Sequence, residues 1–276
     1  MKRNFNNFVC FSGIIIFVVT CFFWVSSAAK GKDAILVAAA SNLKFAMDDI
    51  IRLFEKKNPD IKVKTVYGSS GNFFNQIING APFDLYFSAD IRYPEELEKR
   101  GLGKEVTVYA FGRMVVMVPV DSGIEIQKLG IKSLLHPAVK KIAIANPAHA
   151  PYGKAAVAFL KSKNIYKTLK EKLVLGENIS QAAQFVESGA AEAGIIALSL
   201  AIKAKEFGRV SYMEIPAETY PTLEQGFTIL TRTKKSSLVK EFSNVLQSKE
   251  GRTILIHNGF NLPVEAGSKQ QAAGNG

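Results

Sequence analysis

Four short segments concentrate side chains that could bind or react: Ser41-Asn42, Ser69-Ser70, Pro151-Tyr152-Gly153 and Asn178-Ile179-Ser180. The first two directly follow predicted strands, and the last two precede predicted helices. In an open parallel sheet, ligands bind at the carboxyl ends of strands, where helices begin. A helix start offers backbone N–H groups that lack intrahelical partners, together with a partial positive charge. Those two properties make an anion site. Ser41 and Ser70 would add hydroxyl donors. Any one of these turns alone reads best as an N-cap, because Ser and Asn are preferred there. Four donor-rich turns, two in each half of the chain, favour a ligand held between two lobes.

None of the four turns contains a charged residue. A fully deprotonated oxyanion presents only acceptors, so a site made only of donors suits it and a carboxylate would repel it. Protonated phosphate carries a hydrogen that needs an acceptor, and such a site disfavours it. Asp90, in Ser88-Ala89-Asp90, is the nearest acidic residue of concern and reads as a cap or sheet-edge residue.

Other chemistry is weaker. Ser41-Asn42-Leu43-Lys44 fits the S-x-x-K pattern of serine acyl-enzymes, in which Ser attacks and Lys assists, but the companion S-D-N and K-T-G motifs are absent. Lys44 therefore reads as a residue on the polar face of its helix. His136, His149 and His257 are far apart and form no metal-ligand spacing. His149 reads as an exposed loop residue. No catalytic residue and no cofactor is expected.

These turns need strands and helices to hold them. Ala34–Ala40 is a continuous apolar run, as in a strand buried on both faces. Leu43, Ala46, Met47, Ile50, Ile51 and Phe54 recur at helical spacing, and Asn58-Pro59 stops them. Ile61, Val63, Thr65 and Tyr67 alternate as a strand, Gly68–Gly71 is a turn, and Phe73, Phe74, Ile77 and Ile78 mark a helix. Phe83–Phe87 is a third strand. Further strands are predicted at Met114–Val118, Ile142–Ala145, Leu173–Leu175, Gly194–Leu198 and Gln225–Thr231. Further helices are predicted at Tyr152–Lys161, Ser180–Glu187, Leu238–Leu246 and Lys249–His257. Repeated βα units argue for parallel sheets with helices on both faces. The chain has more of them than one small sheet needs and no flexible linker. Two lobes joined by crossings near Ala110–Arg113 and Glu214–Glu224 satisfy both facts.

The N-terminus sets the compartment. Lys2-Arg3, the apolar run Val9–Val25 and the small residues Ser26-Ser27-Ala28-Ala29 follow the order of a secretory signal peptide cut after Ala29. Cys10 and Cys21 lie inside it, so the exported chain would have no disulfide or thiolate. The sequence before Cys21, Val18-Val19-Thr20, is a poor lipoprotein signal. The net charge is +11, but the basic residues are scattered or in pairs such as Lys56-Lys57, Lys140-Lys141 and Lys234-Lys235. They read as solvated surface, and no nucleic-acid partner is expected.

Several motifs in order carry a resemblance. They are Ala38-Ala39-Ala40-Ser41-Asn42-Leu43, Gly68-Ser69-Ser70-Gly71, and Asn79-Gly80-Ala81-Pro82-Phe83-Asp84-Leu85 running on to Ser88-Ala89-Asp90. Asn146-Pro147 with Ala150-Pro151-Tyr152-Gly153, Asn178-Ile179-Ser180-Gln181-Ala182 and Gly194-Ile195-Ile196-Ala197-Leu198-Ser199 complete the set. With these, the chain resembles the periplasmic molybdate-binding protein family (ModA) of ABC importers over essentially all of Ala34–Pro263. The resemblance implies a type II periplasmic-binding-protein fold, two α/β lobes with a central ligand cleft. It divides the chain into a signal peptide (1–29), lobe 1 (30–111 with 220–266), lobe 2 (112–219) and a disordered tail (267–276). It implies that Ser41 and Ser70 donate to a molybdate or tungstate oxyanion from side chain and backbone, with help from Asn42, and that the backbone N–H groups of Tyr152 and Ile179 donate from the other lobe. Some members place a tyrosine donor where this chain has Ala197. Either the Tyr152 hydroxyl replaces it, or the site has fewer bonds. The implied partners are an ABC permease and its ATPase, for a monomer in the periplasm. A carrier of sulfate or another small oxyanion, a serine acyl-enzyme using Ser41 and Lys44, and a sensor built on the same fold are the alternatives.

Overall fold

The computed structural model describes residues 33–264. The expected signal peptide, both cysteines and the expected tail from Gly267 lie outside the described residues. Among the described residues no helix is long and apolar enough to cross a membrane.

Two five-stranded sheets form the frame. The strands are β1 (Asp33–Ala40), β2 (Ile61–Gly68), β3 (Leu85–Ser88), β4 (Gly103–Gly112), β5 (Met114–Pro119), β6 (Ile142–Ala145), β7 (Leu173–Gly176), β8 (Ala193–Ala197), β9 (Val210–Glu214) and β10 (Leu223–Leu230). The first sheet has the order β2-β1-β3-β10-β4, and the second β7-β6-β8-β5-β9. The helices are α1 (Lys44–Lys57), α2 (Ser70–Ile78), α3 (Arg92–Lys99), α4 (Ile126–Leu129), α5 (Pro151–Ser162), α6 (Tyr166–Leu169), α7 (Ile179–Glu187), α8 (Leu198–Glu206), α9 (Ser236–Gln247) and α10 (Lys249–His257). The two α/β lobes match the fold class expected from the sequence.

The expectation of parallel sheets needs correction. β1 runs parallel to β2 and β3, and β6 runs parallel to β7 and β8. β10, however, is antiparallel to β3 and β4, and β5 is antiparallel to β8 and β9. These antiparallel strands flank the passages between the sheets. The chain leaves β4 at Gly112 and enters β5 at Met114, and it returns between Glu214 and Leu223. A strand that changes sheet without a crossover helix pairs antiparallel, because only βαβ units enforce parallel pairing.

Apolar patterning explains the layers. Ile35, Val37, Leu43, Ala46, Met47, Ile50 and Phe54 pack with α9 and α10 on one face of the first sheet. Phe54 meets Phe242 edge to face, with ring centroids 5.2 Å apart. Phe73, Ile77, Phe83 and Leu97 cover the other face. The second sheet is filled by β5, β6 and β8 side chains together with Phe159, Leu160 and Val186. The edge strand β2 turns Lys62, Lys64 and Val66 to solvent, and its lysines discourage pairing with another chain.

Local readings also change. The third strand begins at Leu85 rather than Phe83. Asp84 instead anchors the strand entrance, accepting from the Leu36 N–H at 2.8 Å, Thr233 Oγ1 at 2.7 Å and Lys235 Nζ at 3.2 Å. α3, β4, α4, α6, α8 and β9 are not among the elements predicted from the sequence. α3 reads Arg-Tyr-Pro-Glu-Glu-Leu-Glu-Lys and buries only Pro94 and Leu97. β9 is largely half-buried at a sheet edge.

Candidate functional site

Four helix starts meet at the carboxyl ends of β1, β2, β6 and β7. Ser41–Leu43 form one 3-10 turn that runs directly into α1. Ser70, expected within a turn, is instead the first residue of α2. Pro151 and Tyr152 open α5, with Pro in the first turn where a missing N–H costs nothing. Ile179 opens α7. Backbone N–H groups in a first helical turn have no acceptor four residues back, and Ser41, Asn42, Ser70, Tyr152 and Ile179 all stand at such positions.

The five residues singled out in the sequence, Ser41, Asn42, Ser70, Tyr152 and Ile179, line one small cavity of about 10 Å³. Ala40, Gly68, Ala89 and Ala150 complete much of the wall, and no charged side chain contributes. All five are closed off from solvent, with none more than 4% exposed. Asp90 does not intrude. It accepts from the Arg92 N–H at 3.1 Å and Arg92 Nε at 2.9 Å, just ahead of α3, whose N-cap is Ile91.

The cap reading separates the serines from the asparagine. Asn178 caps α7, accepting from the N–H groups of Ser180 at 3.0 Å and Gln181 at 3.1 Å. Neither Ser41 nor Ser69 makes a side-chain cap at its helix start. The Ser70 hydroxyl oxygen accepts from the Ala89 N–H at 3.0 Å. Its own hydrogen is therefore left to donate. The Ser41 hydroxyl accepts from the Ser180 N–H at 3.3 Å and approaches Asn178 Oδ1 at 3.1 Å. Asn178 Oδ1 already holds two N–H donors, so an anion in the cavity would be the stronger acceptor for the Ser41 hydrogen.

The lobes are stitched across the cleft. Ser180 Oγ donates to the Ser41 carbonyl at 3.1 Å, and Ser199 Oγ donates to the Asn42 carbonyl at 2.7 Å. The Ser69 hydroxyl and the Gly71 N–H both donate to the His149 carbonyl, at 2.8 and 2.9 Å. A Cβ on Gly71 would lie 2.6 Å from that carbonyl oxygen, so the approach requires glycine. His149 is thus not the exposed loop residue expected from sequence. Its ring Nδ1 meets Ser69 Oγ at 2.8 Å, and its side chain is 17% exposed.

One cluster had no sequence signal. Gln225 is fully buried on β10. Its Oε1 accepts from Tyr109 Oη at 2.8 Å and Asn42 Nδ2 at 3.0 Å, and its Nε2 donates to Tyr152 Oη at 3.2 Å. The Tyr152 hydroxyl, one candidate to replace the donor missing at Ala197, sits in this cluster and also receives Asn42 Nδ2 at 3.4 Å. Ala197 itself ends β8 and is fully buried.

Burial pushes the Tyr86, Tyr109 and Tyr152 hydroxyls well above the ordinary tyrosine range. A raised folded-state value favours the neutral form, so the stability it contributes is complete below the unfolded value near pH 10 and is lost as pH climbs past it. Thermal melts should therefore hold up to about pH 10 and fall steeply above it. A melting temperature unchanged beyond that pH would contradict the burial of these hydroxyls.

Comparison with known proteins places this geometry. The sequence pattern of the family described as bacterial extracellular solute-binding protein matches residues 35–261. The chain is 36% identical to the molybdate-binding protein ModA of Azotobacter vinelandii, over 86% of this chain and 93% of that one. It is 32% identical to ModA of Rhodobacter capsulatus, over 84% and 89%. Its fold superposes on the solved Azotobacter vinelandii periplasmic molybdate-binding protein with a TM-score of 0.76, at 29% identity, covering 83% of this chain and all of that one. A family match spanning nearly every described residue, together with these relatives, means that the chain belongs to the bacterial extracellular solute-binding proteins.

Proposed function

We propose that this protein captures molybdate or tungstate outside the cytoplasm and hands it to an ABC importer. The observation that carries this reading is the chemistry of the cavity: residues from the starts of four helices, two of them serines, line one small space without a charged wall. A tetrahedral dianion accepts from every side, and each charge-assisted bond offsets part of its desolvation. The relatives named for molybdate agree with this chemistry.

The two lobes, residues 30–111 with 220–266 and residues 112–219, close on the guest. The closed protein then docks, as a monomer, on a membrane permease driven by its ATPase. The signal-like N-terminus supports export to the periplasm. The oxyanion is cargo rather than a cofactor. The acyl-enzyme alternative loses its base to other partners. Lys44 Nζ is paired with Asp48 at 2.8 Å and lies 4.9 Å from the centre of the Tyr67 ring.

Calorimetry with molybdate, tungstate, sulfate and phosphate tests the reading. Molybdate and tungstate should bind alike. Phosphate should bind at least about 10- to 100-fold more weakly, because its hydrogen would be buried without an acceptor. Equal binding of all four, or of none, would reject the reading, and preference for sulfate would reassign the guest. Ser70→Ala should weaken molybdate binding by about 1.5–3 kcal/mol, the worth of one hydrogen bond to a charged group.

A further inference from the structure

The Asn42–Gln225 cluster contains a mismatch. Asn42 Nδ2 is turned away from any guest, donating to Gln225 Oε1 at 3.0 Å and Tyr152 Oη at 3.4 Å. Asn42 Oδ1, fully buried on a residue that lines the cavity, has no hydrogen-bond partner. Tyr152 Oη meanwhile receives two N–H groups, from Asn42 and Gln225, and the hydroxyl's own hydrogen meets no acceptor in the cluster. In this hydrogen-bond direction an all-donor anion site presents one bare acceptor, and a buried unpaired acceptor is costly.

Turning both amides over, about Asn42 χ2 and Gln225 χ3, pairs the bare oxygen and the Tyr152 hydrogen at the same heavy-atom positions, at the expense of the Tyr109 hydroxyl hydrogen, which gives up its Gln225 acceptor. Gln225 Nε2 would have two hydrogens for two acceptors, Asn42 Oδ1 and Tyr109 Oη. Gln225 Oε1 would accept from the Tyr152 hydroxyl. The Asn42 NH2 would then stand where the bare oxygen is, with hydrogens to give to a guest. We propose that Gln225 is a positioning residue: in the oxyanion-loaded protein it and Asn42 adopt this reversed direction, so that Asn42 Nδ2, and not the Tyr152 hydroxyl, supplies the side-chain donor that Ala197 cannot. The inference rests on the proposed oxyanion function.

Two features suit Gln225 to this task. Its amide can donate and accept, which neither a carboxylate nor an apolar side chain does. It also joins both lobes, because Tyr109 and Asn42 come from the first sheet's side and Tyr152 from α5 beside the second. Gly112, at the passage between the sheets, is pressed against the same cluster. A Cβ there would overlap Tyr152 Oη and Gln225 Nε2.

The test combines nuclear magnetic resonance on the ¹⁵N-labelled exported protein with calorimetry, using sodium molybdate as the probe. On loading, the Asn42 side-chain NH2 resonances should shift and their hydrogens should exchange more slowly. Gln225→Glu offers only acceptors and holds Asn42 Nδ2 in the cluster, so molybdate binding should fall at least about 100-fold. Gln225→Met leaves the Asn42 amide free to turn but unguided, and binding should fall about tenfold, independently of any change in melting temperature. If wild-type protein binds molybdate while the Asn42 NH2 resonances stay unmoved, or if Gln225→Met binds as wild type does, the positioning role is overturned and the transport function stands. If wild-type protein does not bind molybdate, both fall.

Discussion

Replacing Asn42 by Asp should abolish oxyanion capture while leaving the protein folded. The substitution changes almost no volume on a side chain that is fully buried and lines the cavity. It removes a donor, worth about 1.5–3 kcal/mol toward a charged partner. It also sets a negative charge against a dianion. At about 4 Å and an effective dielectric near 20, each pair of unit charges repels by about 4 kcal/mol. Together these exceed about 5 kcal/mol, a loss of more than about 10³-fold in affinity. Stability should suffer less, because the Gln225 amide and the Tyr152 hydroxyl are close enough to be turned toward a carboxylate. Calorimetry and melting curves on Asn42→Asp beside Asn42→Ala would check this. The alanine variant should lose only about 10- to 100-fold. Equal losses in the two variants would mean that charge at this position does not face the guest.

The second large effect lies in a glycine that touches no guest. Gly153 follows Tyr152 in the first turn of α5. A Cβ there would overlap the carbonyl oxygen of Ala145 at the end of β6, and would stand 2.8 Å from the backbone nitrogen of Pro147. Both are backbone atoms and cannot move aside as a flexible side chain would. Gly153→Ala must therefore lift the tip of α5, taking the Tyr152 N–H with it. Overpacking of this kind costs about 1–3 kcal/mol of stability. Misplacing a donor also removes its charge-assisted bond, so molybdate affinity should drop by at least about tenfold. A variant that melts lower yet binds unchanged would show that the α5 tip is not a donor.

What the sequence makes legible here follows from locality. Ser41, Ser70, Tyr152 and Ile179 stand out because each sits where an apolar strand gives way to helical spacing, and Pro, Gly and Asn punctuate the change within a few residues. Ile142–Ala145 and Lys249–His257 are placed to the residue for the same reason. Gln225 is not legible. It is a single polar residue at the start of a late strand, and its partners Asn42, Tyr152 and Tyr109 lie far away in sequence. His149 is misread because its contact with Ser69 exists only once the lobes meet. The antiparallel pairing of β5 and β10 is hidden because a buried strand has the same apolar pattern in either direction. α3 escapes because its charged stretch buries only two residues, so periodicity has almost nothing to report.

The central claim is that paired helix tips present uncharged donors to a doubly negative guest. Crystals grown with sodium tungstate would test it directly through the anomalous signal of the metal. The peak should lie in the cavity between Ser41, Ser70, Tyr152 and Ile179, with ligand oxygens about 2.7–3.2 Å from their N–H and O–H donors. A peak elsewhere, or a guest whose oxygens meet charged side chains instead, would contradict it.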